Sequence, residues 1–399
     1  MYIVGGSYLE WIHEPYWKEL YGSGIRAAAA IALLNDRVIL ESYLAKQEVP
    51  IAMAKADAMG FMLHIATRES PISFEYFHGL SCPKITPHPT LIKREDAIHI
   101  ESEECILRFG FMEGDAIVKG KTVVYDPQSA FTPQEFVANG SAAERLALVL
   151  NSSEAKALAG TTCIEDAGFI LRVKNQADVV VIKRGPLGCT VFTEGITVSV
   201  PAFQTKKINP IGSGDVFAAV FAHFWGEEMC SAFDAAEKAS RAAAFACAYQ
   251  QMPLPKDYET QVEFAPKSGS LDGKKIYLAG PFFTMSQLWL IEEGMHALRS
   301  AGIDVFSPYH DVGMGRANDI YEPDTKGIQD SCALLAFLDG LDPGTIYEVG
   351  YAKALGKPVI VFVQNESIGD TKMITGADCI ICDDFATAIY QTIWSAMES

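Results

Sequence analysis

Apolar residues along this chain gather in short continuous runs rather than alternating with polar ones. "YIVGG" lies at the start, "VVVIK" at 179–183, "KIYLAG" at 275–280, "ALLAFLD" at 333–339 and "PVIVFV" at 358–363. Runs of this length, apolar at nearly every position, predict strands buried on both faces. Longer stretches between them, among them "SAAERLALVL" and "AAEKASRAAAFACAY", read as helices. Strand and helix in alternation predict α/β architecture, with mainly parallel sheets covered by helices.

The pattern lapses in "MPLPKDYETQVEFAPKSGSLDGKK", residues 252–275, where prolines, glycines and charges interrupt any period. A new strand, "KKIYLAG", follows at once. We therefore expect two domains, 1–255 and 274–399, joined by a linker at 256–273, in keeping with 399 residues being long for one core.

Composition narrows the function. Apolar residues make up 49% and charged residues 21%, the balance of an ordinary folded protein. A net charge of −18 argues against a surface built for nucleic acid or an anionic membrane, so small molecules are the expected partners. No run approaches the ~20 apolar residues of a bilayer span, and the N-terminus lacks a basic start and a cleavage site, so the expected location is cytoplasmic. Of nine cysteines only Cys379 and Cys382 have metal-like spacing, and in a strand their side chains point to opposite faces. They read as buried structural thiols.

Chemistry concentrates in two places. In "KINPIGSGDVFAAVFAHFW" the residues Gly212, Ser213, Gly214 and Asp215 precede a helical pattern and fall at a helix N-terminus. Free N–H groups and the helix dipole favour an anion there, and Asp215 is placed to take a proton from a hydroxyl attacking a γ-phosphate. This stretch resembles the G-A-G-D signature of the ribokinase-like (PfkB) carbohydrate and nucleoside kinases. Other pieces follow in that family's order. Glu10, after "IVGG", stands where the family keeps an aspartate for substrate hydroxyls, and Gly24 lies in the turn of "YGSGIRAAAAIA" against which substrate rests. Asn151 and Glu154 have the N-x-x-E spacing of the magnesium and phosphate motif. Lys183 and Gly185 of "VVVIKRGPLGCTVF" match the strand and turn beside ATP. The resemblance implies ATP and Mg2+ as cofactors, with the metal reached indirectly through Glu154. The sequence departs from the family in three places: Asn209 and Pro210 replace Asp-Thr, Glu10 replaces Asp, and Arg26 or an alanine stands for an Asn.

The second place is "LDGLDPGTIYEVGYAKALGKPVI", residues 338–360. Ligands of open parallel sheets bind beyond the strands' carboxyl ends, where Gly280 and Asp342 fall. Asp342 is a natural N-cap for a helix opened by Pro343, and Glu348 lies between one and two turns further on. Alone, Glu348 reads as a solvated residue pairing with Lys353. Together, "IYLAGPFF", Asp330 and the run D-x-G-x-x-x-E-x-G-Y-A-x-A-x-G-K-P-V-I resemble the nucleoside 2-deoxyribosyltransferases. That resemblance implies Glu348 as nucleophile at the anomeric carbon, Tyr277 orienting it, Asp330 and Asp342 as further active-site aspartates, and no cofactor. A carboxylate near C1′ traps positive charge on a sugar as a covalent ester, and a proton donor, here Asp330, serves the departing base. Asp342 is assigned to the sugar hydroxyls. The loop "AGPFFTMSQ" has no Arg or Lys for a 5′-phosphate, although Ser286 and backbone amides remain available.

The chain is thus expected to be a bifunctional nucleoside salvage enzyme acting on nucleosides, nucleobases or sugars, and a homo-oligomer by analogy. The alternative is a 2-deoxynucleoside (5′-phosphate) N-glycosidase whose kinase-like half senses nucleotide.

Overall fold

The computed structural model describes residues 1–129 and 132–399. These form two compact units, 1–266 and 267–399.

The first unit is built on a ten-stranded sheet. From one edge its strands run Thr197–Val200, Cys189–Phe192, Val179–Lys183, Ala142–Asn151, Ala116–Asp126, Ile106–Phe109, Tyr2–Val4, Ile39–Ala45 and Met62–Arg68, with Ile98–Ser102 pairing alongside Ala116–Asp126. Pairing is parallel except at Cys189–Phe192, which is antiparallel to both neighbours. A smaller sheet of four strands, Trp17–Leu20, Leu9–Glu14, Ser73–His78 and Lys84–Thr86, carries Glu10.

One element corrects the sequence reading. "SAAERLALVL" is not a helix but most of the strand Ala142–Asn151. Leu146, Leu148 and Leu150 enter one core, and Ala147 and Val149 enter the other. An apolar-rich decapeptide satisfies a helical spacing and two interleaved faces of period two equally well, and burial on both faces decides for the strand.

Two helices face the site of the first unit. Gly22–Ile31 is buried at every position, and its run of alanines lets the backbone lie close to its neighbours. Ser213–Phe221 packs against it and starts from Gly212, whose φ of +75° suits glycine. Part of the stretch expected as a linker is also packed here. Tyr258 and Phe264 join the first core with Leu254, because apolar residues recur among the charges of 252–264.

The second unit holds a five-stranded parallel sheet in the order Asp304–Phe306, Lys275–Ala279, Ala333–Phe337, Val359–Phe362, Ile380–Cys382. On one face Ile328 of helix Ala317–Asp330 and Val349 and Ala352 of helix Pro343–Ala354 close over Tyr277, Ala279, Leu334 and Ala336. On the other, Phe337 meets Gly294 of helix Met285–Ser300, where a Cβ would stand 2.7 Å from its ring, and stacks on Phe385 of helix Phe385–Glu398. Apolar side chains on both faces of each strand require this three-layer arrangement. Among the described residues no helix is long and apolar enough to cross a membrane.

Candidate active sites

In the first unit a cavity of about 570 Å³ opens at the carboxyl ends of strands Ala116–Asp126, Ala142–Asn151 and Val179–Lys183, through Asp126, Asn151 and Lys183. Glu10, Glu154, Gly185, Gly212, Gly214 and Asp215 also line it. Two residues expected here serve elsewhere. The Ser213 hydroxyl donates to the Pro210 carbonyl at 2.8 Å and faces a separate cavity of about 370 Å³. Gly24 lies against the chain, where a Cβ would come 2.6 Å from the Gly5 carbonyl oxygen, so its small size serves packing.

Asp215 stands in the first turn of its helix, 7% exposed. Its Oδ2 accepts from Arg26 Nη1 at 3.0 Å, and its Oδ1 accepts from Gln128 Nε2. Arg26 is buried and also pairs with both oxygens of Glu10, through Nη1 at 3.0 Å and through Nη2. Gly22 N–H donates to Glu10 Oε1 at 3.2 Å. Burial opposes the Arg26 charge, but Glu10 and Asp215 outweigh it and raise its pKa. Of the positions where the sequence departs from its family, Glu10, Arg26 and Pro210 all line this cavity, and Arg26 is the one that pairs with Asp215.

Beside this group, Lys183 Nζ lies 2.5 Å from Asp126 Oδ2 and 3.5 Å from the Gly214 carbonyl oxygen. Burial pushes the Asp126 carboxyl up to about 7 against the pull of Lys183. Asn151 and Glu154 form a capping box on helix Ser152–Ala159, and Glu154 Oε1 accepts from Ser129 N–H at 3.2 Å. Burial raises the Glu154 pKa as well. Each Glu154 oxygen already accepts one backbone N–H and keeps a further lone pair. Among the described residues no group of three or more His, Cys, Asp or Glu side chains is arranged to hold a metal. Sequence reading missed Asp126 and Gln128, and their signal was the strand ending in "VVYDPQ", with a carboxylate and an amide at its tip.

In the second unit Tyr277, fully buried and stacked on Phe306 at 5.4 Å, donates from its hydroxyl to Glu348 Oε1 at 2.6 Å. Burial pushes the Glu348 carboxyl up to about 7, the Tyr277 hydrogen bond draws it down, and the charges of Asp324 and Asp342 push it up again. Asp342 caps helix Pro343–Ala354, its Oδ2 accepting from Thr345 N–H at 2.8 Å and from Thr345 Oγ1 at 3.0 Å. Gly280 follows the strand of Tyr277, where a Cβ would come 3.0 Å from Ile291 Cδ1. It keeps the strand end close to helix Met285–Ser300.

The structure does not bring Asp330 to Glu348, and an aspartate six residues earlier on the same helix lies nearer. Asp330 lies on the exposed side of its helix, 2.6 Å from Lys326 Nζ. Asp324 lies nearer the core, where burial raises its pKa and its Oδ1 is buried without a hydrogen-bond partner. Its charge is felt by both Glu348 and Tyr277. The sequence held the signal: Asp324 precedes the buried Ile328 by four residues, whereas Lys326 and Asp330 form an i,i+4 ion pair of the kind found on solvated faces.

Each unit matches a known family. Residues 119–256 match the pfkB family carbohydrate kinase model, and residues 276–376 match the nucleoside 2-deoxyribosyltransferase model. Among solved structures, a fructokinase double mutant from Vibrio cholerae O395 in its fructose-, ADP- and potassium-ion-bound form is 18% identical, with a TM-score of 0.51 over 66% of this chain and 97% of its own. A probable sugar kinase protein from Rhizobium etli CFN 42 is 13% identical, with a TM-score of 0.50 over 65% of this chain and 96% of its own. None of the curated proteins matches the chain in sequence. The first unit therefore has a ribokinase-like fold, and the chain carries a PfkB-type unit followed by a nucleoside 2-deoxyribosyltransferase-type unit.

Proposed function

We propose that the second unit transfers 2-deoxyribosyl groups between nucleobases through a covalent ester on Glu348, and that the first unit phosphorylates a sugar or nucleoside hydroxyl with ATP. The observation that supports the transferase most is the 2.6 Å hydrogen bond from Tyr277 to Glu348 beside the unpartnered oxygen of Asp324.

In this reading a Glu348 oxygen attacks C1′ while the bond from C1′ to the base breaks. The electron pair goes to the base nitrogen, which takes a proton from Asp324. Both carboxyls suit their parts. A pKa near 7 leaves Glu348 partly ionised at neutral pH, and Tyr277 fixes one oxygen so that the other points to the sugar. Burial keeps Asp324 protonated to higher pH than a solvated aspartate. Asp342 has one oxygen committed to Thr345, which leaves the other for a sugar hydroxyl. A second base then attacks C1′ from the vacated side, returns its proton to Asp324 and releases Glu348, with net retention. Water in place of that base gives hydrolysis.

In the first unit, Asp215 is the base for the acceptor hydroxyl, and Gly214, which lines the same cavity beside Lys183, faces the transferring phosphoryl group. A Mg2+ arriving with ATP would be held through water by Glu154, and supplies charge neutralisation on the phosphates.

Incubation of the intact protein with thymidine, free adenine, ATP and Mg2+ tests the assignment. Formation of 2-deoxyadenosine is expected; neither exchange nor release of thymine would overturn the transferase reading. Appearance of a phosphorylated sugar or nucleoside would support coupling of the two units in nucleoside salvage.

A further inference from the structure

We propose that Arg26 closes the acceptor subsite of the first unit, so that phosphoryl transfer proceeds only from conformers in which its guanidinium has left Asp215. The inference rests on the reading of Asp215 as the base. It adds what governs access to that base.

A base must offer an oxygen that the hydroxyl it deprotonates can reach in space. Here Arg26 Nη1 occupies Oδ2 of Asp215 at 3.0 Å, and Gln128 Nε2 occupies Oδ1. The guanidinium stands between Asp215 and Glu10, in the space that a hydroxyl bonded to either carboxylate would need. A neutral hydroxyl cannot replace it in place, because one hydrogen bond does not compensate two buried carboxylates for the loss of a shared cation.

Arg26 is also fitted into position by shape. Its guanidinium carbon lies 4.9 Å from the centre of the Tyr21 ring, and its stem passes Gly212 so closely that a Cβ there would stand 2.1 Å from Nε. Glycine at 212 thus serves the positive φ and the passage of Arg26 together. Arg26 forms part of the wall of two cavities, the one holding Asp215 and the one of about 370 Å³ lined by Tyr21, Lys55 and Glu19. The second is the receiving space: Glu19, which now pairs with Lys55 at 2.9 Å, supplies a carboxylate for the displaced guanidinium. Once Arg26 has moved, the acceptor oxygen bonds to the γ-phosphorus, the bond from that phosphorus to the β-bridging oxygen breaks, the hydroxyl proton passes to Asp215 and ADP leaves.

The test uses Arg26→Ala in the full chain, with ADP formation from Mg2+ and ATP measured on ribose and thymidine. Because Arg26→Ala leaves two buried carboxylates without their cation, Arg26→Gln, which keeps a hydrogen-bond donor at the position, is run beside it. We expect ADP formation to rise about tenfold or more in a folded variant. Added methylguanidine should return Arg26→Ala toward the unmodified rate without affecting the unmodified protein, and should raise the melting temperature of Arg26→Ala more than that of Arg26→Ala with Asp215→Asn, where only Glu10 remains to pair with it. If methylguanidine stabilises Arg26→Ala while no protein forms ADP, closure by Arg26 stands and the phosphotransferase reading falls. If the variants are no faster than the unmodified protein on an acceptor it phosphorylates, or methylguanidine neither inhibits nor stabilises, the proposal is overturned.

Discussion

Glu348 and Asp215 both lie within the first two turns of a helix, each facing a candidate site, yet their partners differ in charge. Glu348 accepts from the neutral hydroxyl of Tyr277, with two further carboxylates near enough to raise its pKa. Asp215 accepts from the cationic Arg26, which it shares with Glu10. A neutral donor orients a carboxylate and leaves its negative charge available to an electrophile. A buried cation orients it just as firmly but satisfies that charge, so the group acts only after the cation moves. On the proposed reading, the second unit is poised for chemistry as it stands and the first is held in reserve.

The contrast is broken most severely by removing the poised carboxylate. Glu348→Ala should lower deoxyribosyl transfer by about 10⁴-fold or more, the scale of losing a nucleophile, with product formation from thymidine and adenine as the readout. Next is the proposed proton donor. Asp324→Asn should cost about 10²- to 10⁴-fold in kcat, with less loss on nucleosides whose base departs without protonation, whereas Asp330→Asn should stay within about twofold. Equal losses in the two variants would remove Asp324 from its assigned part.

Tyr277→Phe should lower kcat by about 10- to 100-fold and shift the pH profile. The Tyr277 hydrogen bond lowers the Glu348 pKa, so its loss should move the acidic limb of the rate profile from near 7 to higher pH. An unmoved limb would mean that another group sets it. The smallest effect concerns stability. The Glu348 pKa is raised by folding, so stability that is present below the ordinary value of 4.5 is lost as pH rises through about 7. Glu348→Gln escapes this loss, and its unfolding free energy should gain on the unmodified protein between pH 4 and 8 by on the order of 2 kcal/mol, read from urea titrations.

Much of this arrangement is legible before the structure. Continuous apolar runs such as "VVVIK" and "PVIVFV" require strands covered on both sides, and Asp342 followed by Pro343 marks a helix start from local chemistry alone. What escapes is the information that only packing supplies. "SAAERLALVL" reads equally as helix or central strand until its two faces find their cores. Asp324 and Asp330 share one helix and one side-chain type, and only the direction of the helix face separates a solvated ion pair from a half-buried acid with one unpartnered oxygen. Arg26 is visible in the sequence as a departure, but its pairing with Asp215 spans 189 residues and follows from the packing of helix Gly22–Ile31 against helix Ser213–Phe221.

The central claim, that Glu348 is a nucleophile held ready by Tyr277, is tested most directly by trapping. The intact protein is mixed with thymidine, denatured within the first turnover and digested, and the peptide containing Glu348 is weighed. The account predicts a mass increase of one 2-deoxyribosyl group on that peptide, absent in Glu348→Ala. An adduct on another residue, or turnover at the unmodified rate in Glu348→Ala, would contradict it.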